Sequence, residues 1–148
     1  MMSDAKPGEA LQPRWMPTGD ETELCGAGEW WDAIRVPEAI GTRVIELLKA
    51  GSQPVGPVIL DQEGLEPRLY FLVPVGVSAG WDEPETVALG HGCHVVVPPY
   101  DRVSATGLHW HYLPRGPRIF TEAEALRRAL IQARRGPSTP VPDQEPAP

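Results

Sequence analysis

The chain has 148 residues and a formal charge of −7, enough length for one domain with a single core and too little for two. Its hydrophobic fraction is 41%, and no window approaches the run of about 20 apolar residues that a membrane-spanning helix needs. A pI near 5.0 opposes a protein whose main task is gripping phosphate backbones, because nonspecific nucleic-acid affinity comes from cationic side chains that displace counterions. A local basic patch is still compatible with that charge.

Residues 1–28 show no hydrophobic period and contain Pro7, Pro13, Pro17, Gly19, Gly26 and Gly28. They read as an irregular N-terminal arm, with Trp15 and Met16 placed to tuck onto the core. The first residues lack a basic start followed by an apolar stretch, so no secretory signal is expected and cytoplasmic residence is the default. In that compartment Cys25 and Cys93 are expected to be reduced thiols.

A single α+β domain is expected over residues 29–135. Ala33 to Val36 is a short apolar piece, and Pro37 stands where a first helical turn tolerates proline. The helix it opens has Ile40, Val44, Leu47 and Leu48 on one stripe and Gly51 as its stop. Strands are predicted at 57–60, 69–73, 86–89, 93–97 and 109–113, separated by Gly, Pro and Asp signals. A last helix is expected from Thr121, with Glu124 completing a capping box and Leu126, Ala129, Leu130 and Ala133 forming its apolar face. Closely spaced strands favour antiparallel pairing, giving a small, mostly antiparallel sheet with helices packed on one face. Residues 136–148 hold Pro137, Pro140, Pro142, Pro146 and Pro148 and read as a proline-rich tail, disordered or extended.

All four histidines fall in a region that also holds Cys93: His91, His94, His109 and His111. Imidazole and thiolate are transition-metal ligands, so His91, Cys93, His109 and His111 form a candidate zinc set. Their spacing matches no paired-ligand zinc pattern, and strand histidines on a polar sheet face are the competing reading. Cys93 as a nucleophile would need a neighbouring base, yet His94 diverges from it along a strand. Gly76, Gly80, Gly90 and Gly92 lack the Lys-Ser/Thr ending of a phosphate loop and read as turns. Arg127, Arg128, Arg134 and Arg135 make the last helix basic, either as a solvated face or as a phosphate-facing patch.

The segment Leu69-Tyr70-Phe71-Leu72-Val73-Pro74, followed by Gly90-His91-Gly92-Cys93-His94-Val95-Val96-Val97-Pro98-Pro99, resembles the back half of the bifunctional DNA primase/polymerase N-terminal domain. There a His-Leu-Tyr-Phe-like strand precedes a Gly-Gly-Tyr-Val-Val-Ala-Pro-Pro-like strand. Ala33 to Leu48 is similar to that family's first metal-binding strand and following helix, so the resemblance spans residues 30–112. The family's chemistry uses two metal ions held by carboxylates, which activate the attacking hydroxyl and neutralise the triphosphate. Here the Asp-hydrophobic-Asp pair falls on Arg35 and Pro37, the histidine of the second motif on Arg68, and the aspartate of the third on Val87. The resemblance therefore implies a shortened, catalytically silent relative. Magnesium or manganese would require Asp32, Glu38 or Glu85 to stand in.

Three function readings follow, and enzymatic activity is left open only in the third, as an enzyme of an unrecognised kind using the histidine cluster. In the first, Arg35, Arg68 and Tyr70 bind the phosphates of a nucleotide, a nucleic-acid end or a replication-associated partner, since a guanidinium donates two parallel hydrogen bonds to phosphate oxygens. In the second, the domain is a protein-interaction module whose tryptophans and proline-rich tail form the contact surface. A metal-binding protein using the His/Cys cluster is the third expectation, and a membrane partner is not expected.

Overall fold

The structure, a computed structural model, describes residues 13–103, 107–115 and 119–135. The proline-rich tail lies outside the described residues. Element order is β1 (Glu23–Gly26), β2 (Asp32–Pro37), α1 (Glu38–Ala50), β3 (Val58–Asp61), β4 (Arg68–Val73), β5 (Val87–Leu89), β6 (His94–Val97), β7 (Leu108–Tyr112) and α2 (Ala123–Arg134). The α+β class and the antiparallel sheet agree with the sequence reading: five strands in the order β5-β2-β4-β3-β7 pair antiparallel throughout.

Alternation along these strands builds two cores, one on each face. Ile34, Val36, Val58, Leu60, Leu69, Phe71 and Val73 point to one side, where Val44, Ile45 and Leu48 of α1 and Leu126, Ala129 and Leu130 of α2 cover them. Ala33, Ile59, Leu72 and Trp110 point to the other side, where they meet Trp15, Met16, Trp31, Val95 and Val97. Both helices thus lie on one face as their stripes require. They pack against each other, and Arg43 of α1 donates to the Ala133 carbonyl near the end of α2 at 3.2 Å.

The second face carries a feature absent from the sequence reading. Residues 23–26, assigned there to an irregular arm, form β1 and pair antiparallel with β6 in a separate two-stranded ribbon, Glu23 opposite Val97 and Gly26 opposite His94. β6 therefore leaves the main sheet, and Val95 and Val97 turn their side chains down onto it. The arm does supply the expected cover: Trp15 is 7% and Met16 3% exposed. Trp15 packs edge-on to Trp31 with ring centroids 5.7 Å apart.

The start of α2 also departs from the expected capping box. Glu122 is the N-cap, its carboxylate accepting from Glu124 N and Ala125 N. Thr121 instead faces inward, fully buried, and its hydroxyl accepts from Gly56 N at 2.9 Å. A carboxylate next to the helix opening outcompetes the hydroxyl because it accepts two amides at once and faces the positive end of the helix dipole. Gly56 lies so close to this segment that a β-carbon would come within 2.6 Å of Thr121 N. We expect Thr121→Val to cost about 2 kcal/mol in urea unfolding, because it leaves the Gly56 amide buried and unpaired. Among the described residues no helix is long and apolar enough to cross a membrane.

Candidate functional site

The second sheet face is only partly roofed. Its upper rows lie under the β1–β6 ribbon and the arm, while a lower row faces outward. Antiparallel register places Arg35 between Val87 and Tyr70, with Ile59 beyond Tyr70. One row further along, Pro37 stands opposite Arg68, and Arg68 opposite Asp61. Directly opposed residues are about 5 Å apart and diagonal ones about 7–8 Å. Arg35, Arg68 and Tyr70 are therefore a contiguous group on one face of β2 and β4.

All three are half-buried, and Val87 is 39% exposed. The ion pairs among the described residues join Glu83 to Arg127 and Arg134, and Glu124 to Arg128, so neither Arg35 nor Arg68 is neutralised by one of them. Arg68 Nε is buried with no hydrogen-bond partner among the described residues. Asp61, the nearest carboxylate by register, accepts instead from Glu63 N at 3.0 Å. The group sets two cations diagonally beside a phenol; a guanidinium is able to donate to two oxygens of an anion, and a tyrosine offers a hydroxyl and a ring face.

The carboxylates near the vacated metal positions are differently placed. Asp32 is 1% exposed, and its Oδ2 accepts from Gly76 N at 3.0 Å and Ser78 N at 2.9 Å. It clamps the loop after β4 onto the start of β2, a structural task that the sequence reading missed. The available signal was a lone carboxylate flanked by the apolar residues Trp31, Ala33 and Ile34. Glu38 opens α1. Glu85 sits in a turn with φ of 66°, just ahead of β5.

The four residues of the candidate zinc set are not brought together. His91 and Cys93 border a cleft of about 510 Å³ with Glu29 and His94, on the ribbon side of the sheet. His109 is paired with Leu60 in register and shares its helix-side face, and His111 occupies a β-bulge beside it. The main sheet separates the two pairs. No group of three His, Cys, Asp or Glu side chains among the described residues is arranged to hold a metal ion.

His111 is held below its ordinary value of 6.5, first by burial, then by His109, with Glu38 opposing and Lys49 adding to the shift. The unfolded chain accepts that proton more readily than the folded one, so stability is present above pH 6.5 and declines as pH falls through the lowered folded value. We expect His111→Gln to flatten the acid-side loss of stability between about pH 7 and 5, measured by urea unfolding at each pH. The Cys25 thiol is pushed up by burial and by Glu23, which keeps it protonated and slow to alkylate at neutral pH.

The basic helix α2 is partly consumed by internal contacts. Glu83 meets Arg127 at 3.6 Å and Arg134 at 3.3 Å, and the Arg127 guanidinium lies 5.7 Å from the Trp81 ring centre. These contacts tie the loop between β4 and β5 to α2, which leaves Arg128 and Arg135 as the helix's outward arginines. A cleft of about 700 Å³ is lined by Arg14, Glu29, Trp30, Pro74, Val75 and Phe120 with parts of Pro13 and Trp15. It lies at the opposite end of β2 and β4 from the arginine group. Comparison of the chain with protein-family models, with curated proteins and with solved structures finds no match.

Proposed function

We propose that the protein is a noncatalytic, primase/polymerase-like domain that binds phosphate groups of a nucleotide or nucleic-acid end through Arg35, Arg68 and Tyr70. One observation carries the reading. Positions 35, 37, 68 and 87, which the resemblance equates with the chemical positions of a polymerase, are scattered along the chain yet neighbour one another on β5, β2 and β4. A purely hydrophobic strand similarity has no reason to gather those four positions on one face.

The residues found there support binding without turnover. Two-metal phosphoryl chemistry needs carboxylates to hold the ions, whereas Arg35 and Arg68 bring positive charge to the same place. Such a site holds triphosphate charge directly and takes no metal to do so. The domain's net charge of −7 disfavours long nonspecific tracks of nucleic acid and favours a small anion or a strand end.

Fluorescence titration with a nucleoside triphosphate and a short primer-template, with and without magnesium or manganese, tests this reading. The expected result is saturable binding and no nucleotide incorporation under any metal condition. Incorporation would overturn the noncatalytic reading, and absence of binding would favour a protein-interaction module.

A further inference from the structure

We propose that the outer edge of β1, with the exposed apolar pair Leu24 and Val96 beside it, is a docking surface for an extended, basic protein segment that adds as a third strand to the β1–β6 ribbon. This inference does not rest on the phosphate-binding reading and concerns the ribbon, not the main sheet.

The ribbon leaves this edge open. Ala27 N donates to the Cys93 carbonyl at 2.8 Å, and hydrogen-bonded pairs alternate along an antiparallel ladder, so Glu23 and Cys25 turn their backbone groups toward β6. Leu24 and Gly26 turn theirs away, and neither makes a further backbone hydrogen bond among the described residues. Such groups are the template on which an added strand pairs. The face beside them is apolar: Leu24 is 66% and Val96 43% exposed, and the two stand directly opposite one another, about 5 Å apart. Gly26 continues that face opposite His94. A β-carbon there would meet the His94 ring at an ordinary 3.9 Å, so internal packing does not demand the glycine; a glycine inside a strand also serves where another backbone approaches closely.

Charge selects the occupant. Asp20, Glu21 and Glu23 are exposed at the start of β1, and none of them takes part in the ion pairs among the described residues. Arg102 reaches this stretch, but it donates to the Asp20 carbonyl at 3.2 Å and not to a carboxylate. A strand bearing lysine or arginine complements this edge, and its alternation sets apolar side chains of the same strand against Leu24. The chain's own ends are poorly matched to it: residues 1–12 hold Asp4 and Glu9 against Lys6, and residues 136–148 hold Asp143 and Glu145 with no basic residue. A second copy brings the same acidic stretch and a net charge of −7, and like charges facing each other across paired strands are destabilising.

The test titrates the full, isotope-labelled chain with a terminally blocked peptide of alternating lysine and valine and follows backbone amide resonances. The Leu24 and Gly26 amides are expected to shift saturably, with a Kd below about 1 mM, and to gain protection from hydrogen exchange. Leu24→Ser and a Glu21→Lys, Glu23→Lys double variant should each weaken binding at least about fivefold while the tryptophan indole resonances stay in place, and the same peptide with glutamate for lysine should not bind. No saturable shift, equal binding of the glutamate peptide, or shifts confined to other parts of the chain overturn the proposal. Leu24 and Gly26 amides that move with protein concentration alone overturn it in favour of a second copy. Amides already protected in the free chain, and released by removing residues 1–12 or 136–148, overturn it in favour of the chain's own end.

Discussion

Asp32→Ala is expected to lower the stability of the domain by about 3 kcal/mol, read as a reduced urea midpoint at unchanged slope. The carboxylate is buried at 1% exposure and accepts two backbone amides at 3.0 and 2.9 Å. Hydrogen bonds to a charged acceptor contribute about 1.5–3 kcal/mol each, and part of that is recovered when water reaches the exposed Gly76 side of the loop. For a chain of this length the loss corresponds to a melting temperature lower by roughly 10 °C. Asp32→Asn keeps one carbonyl acceptor in the same volume and should cost less than half as much. If Asp32 served chiefly as a metal ligand, the alanine variant would instead be nearly as stable as the parent in metal-free buffer.

The second large effect concerns binding. Arg35→Ala and Arg68→Ala are each expected to weaken nucleoside triphosphate binding about tenfold, with little change in thermal stability. The two side chains stand diagonally on neighbouring strands and neither takes part in an ion pair among the described residues. Removing one leaves no buried carboxylate unpaired, so folding is spared while the phosphate loses a bidentate donor. Arg→Lys at either position should recover only part of the affinity, because an ammonium keeps the charge and loses the planar fork. Raising salt should weaken the parent more than either variant. Equal weakening by Arg128→Ala, on the far side of the molecule, would mean a general charge effect.

Much of the fold was legible because its signals are local. The stripe Ile40, Val44, Leu47, Leu48, opened by Pro37 and closed by Gly51, marks α1 to within a residue. The apolar run Leu69 to Val73, ended by Pro74, marks β4 to within a residue. β1 was hidden because Glu23 to Gly26 is short, half-exposed and bracketed by turn residues, and its partner, β6, is remote in sequence. A strand of that kind is defined by its pairing and not by its own pattern. The choice of Glu122 over Thr121 as N-cap was hidden for a similar reason, since it depends on Gly56 claiming the threonine hydroxyl.

The candidate site divides in the same way. Arg35, Arg68 and Tyr70 could be singled out by resemblance, but their adjacency depends on the register of β2 against β4. The histidines and Cys93 were conspicuous by composition, yet β6 departs into the ribbon while β7 closes the far edge of the main sheet. Sequence proximity therefore did not become spatial proximity. Likewise Arg127 and Arg134 looked free on a basic helix until Glu83, brought in by a loop, engaged both.

Calorimetric titration of a nucleoside triphosphate, without added metal, into the parent chain and into an Arg35→Ala, Arg68→Ala double variant tests the central claim most directly. The account predicts saturable binding by the parent and a loss of at least about fiftyfold in the double variant, with both proteins equally folded by near-UV circular dichroism. Undiminished binding by the double variant, or binding by neither protein, would contradict the assignment of this sheet face as a phosphate site.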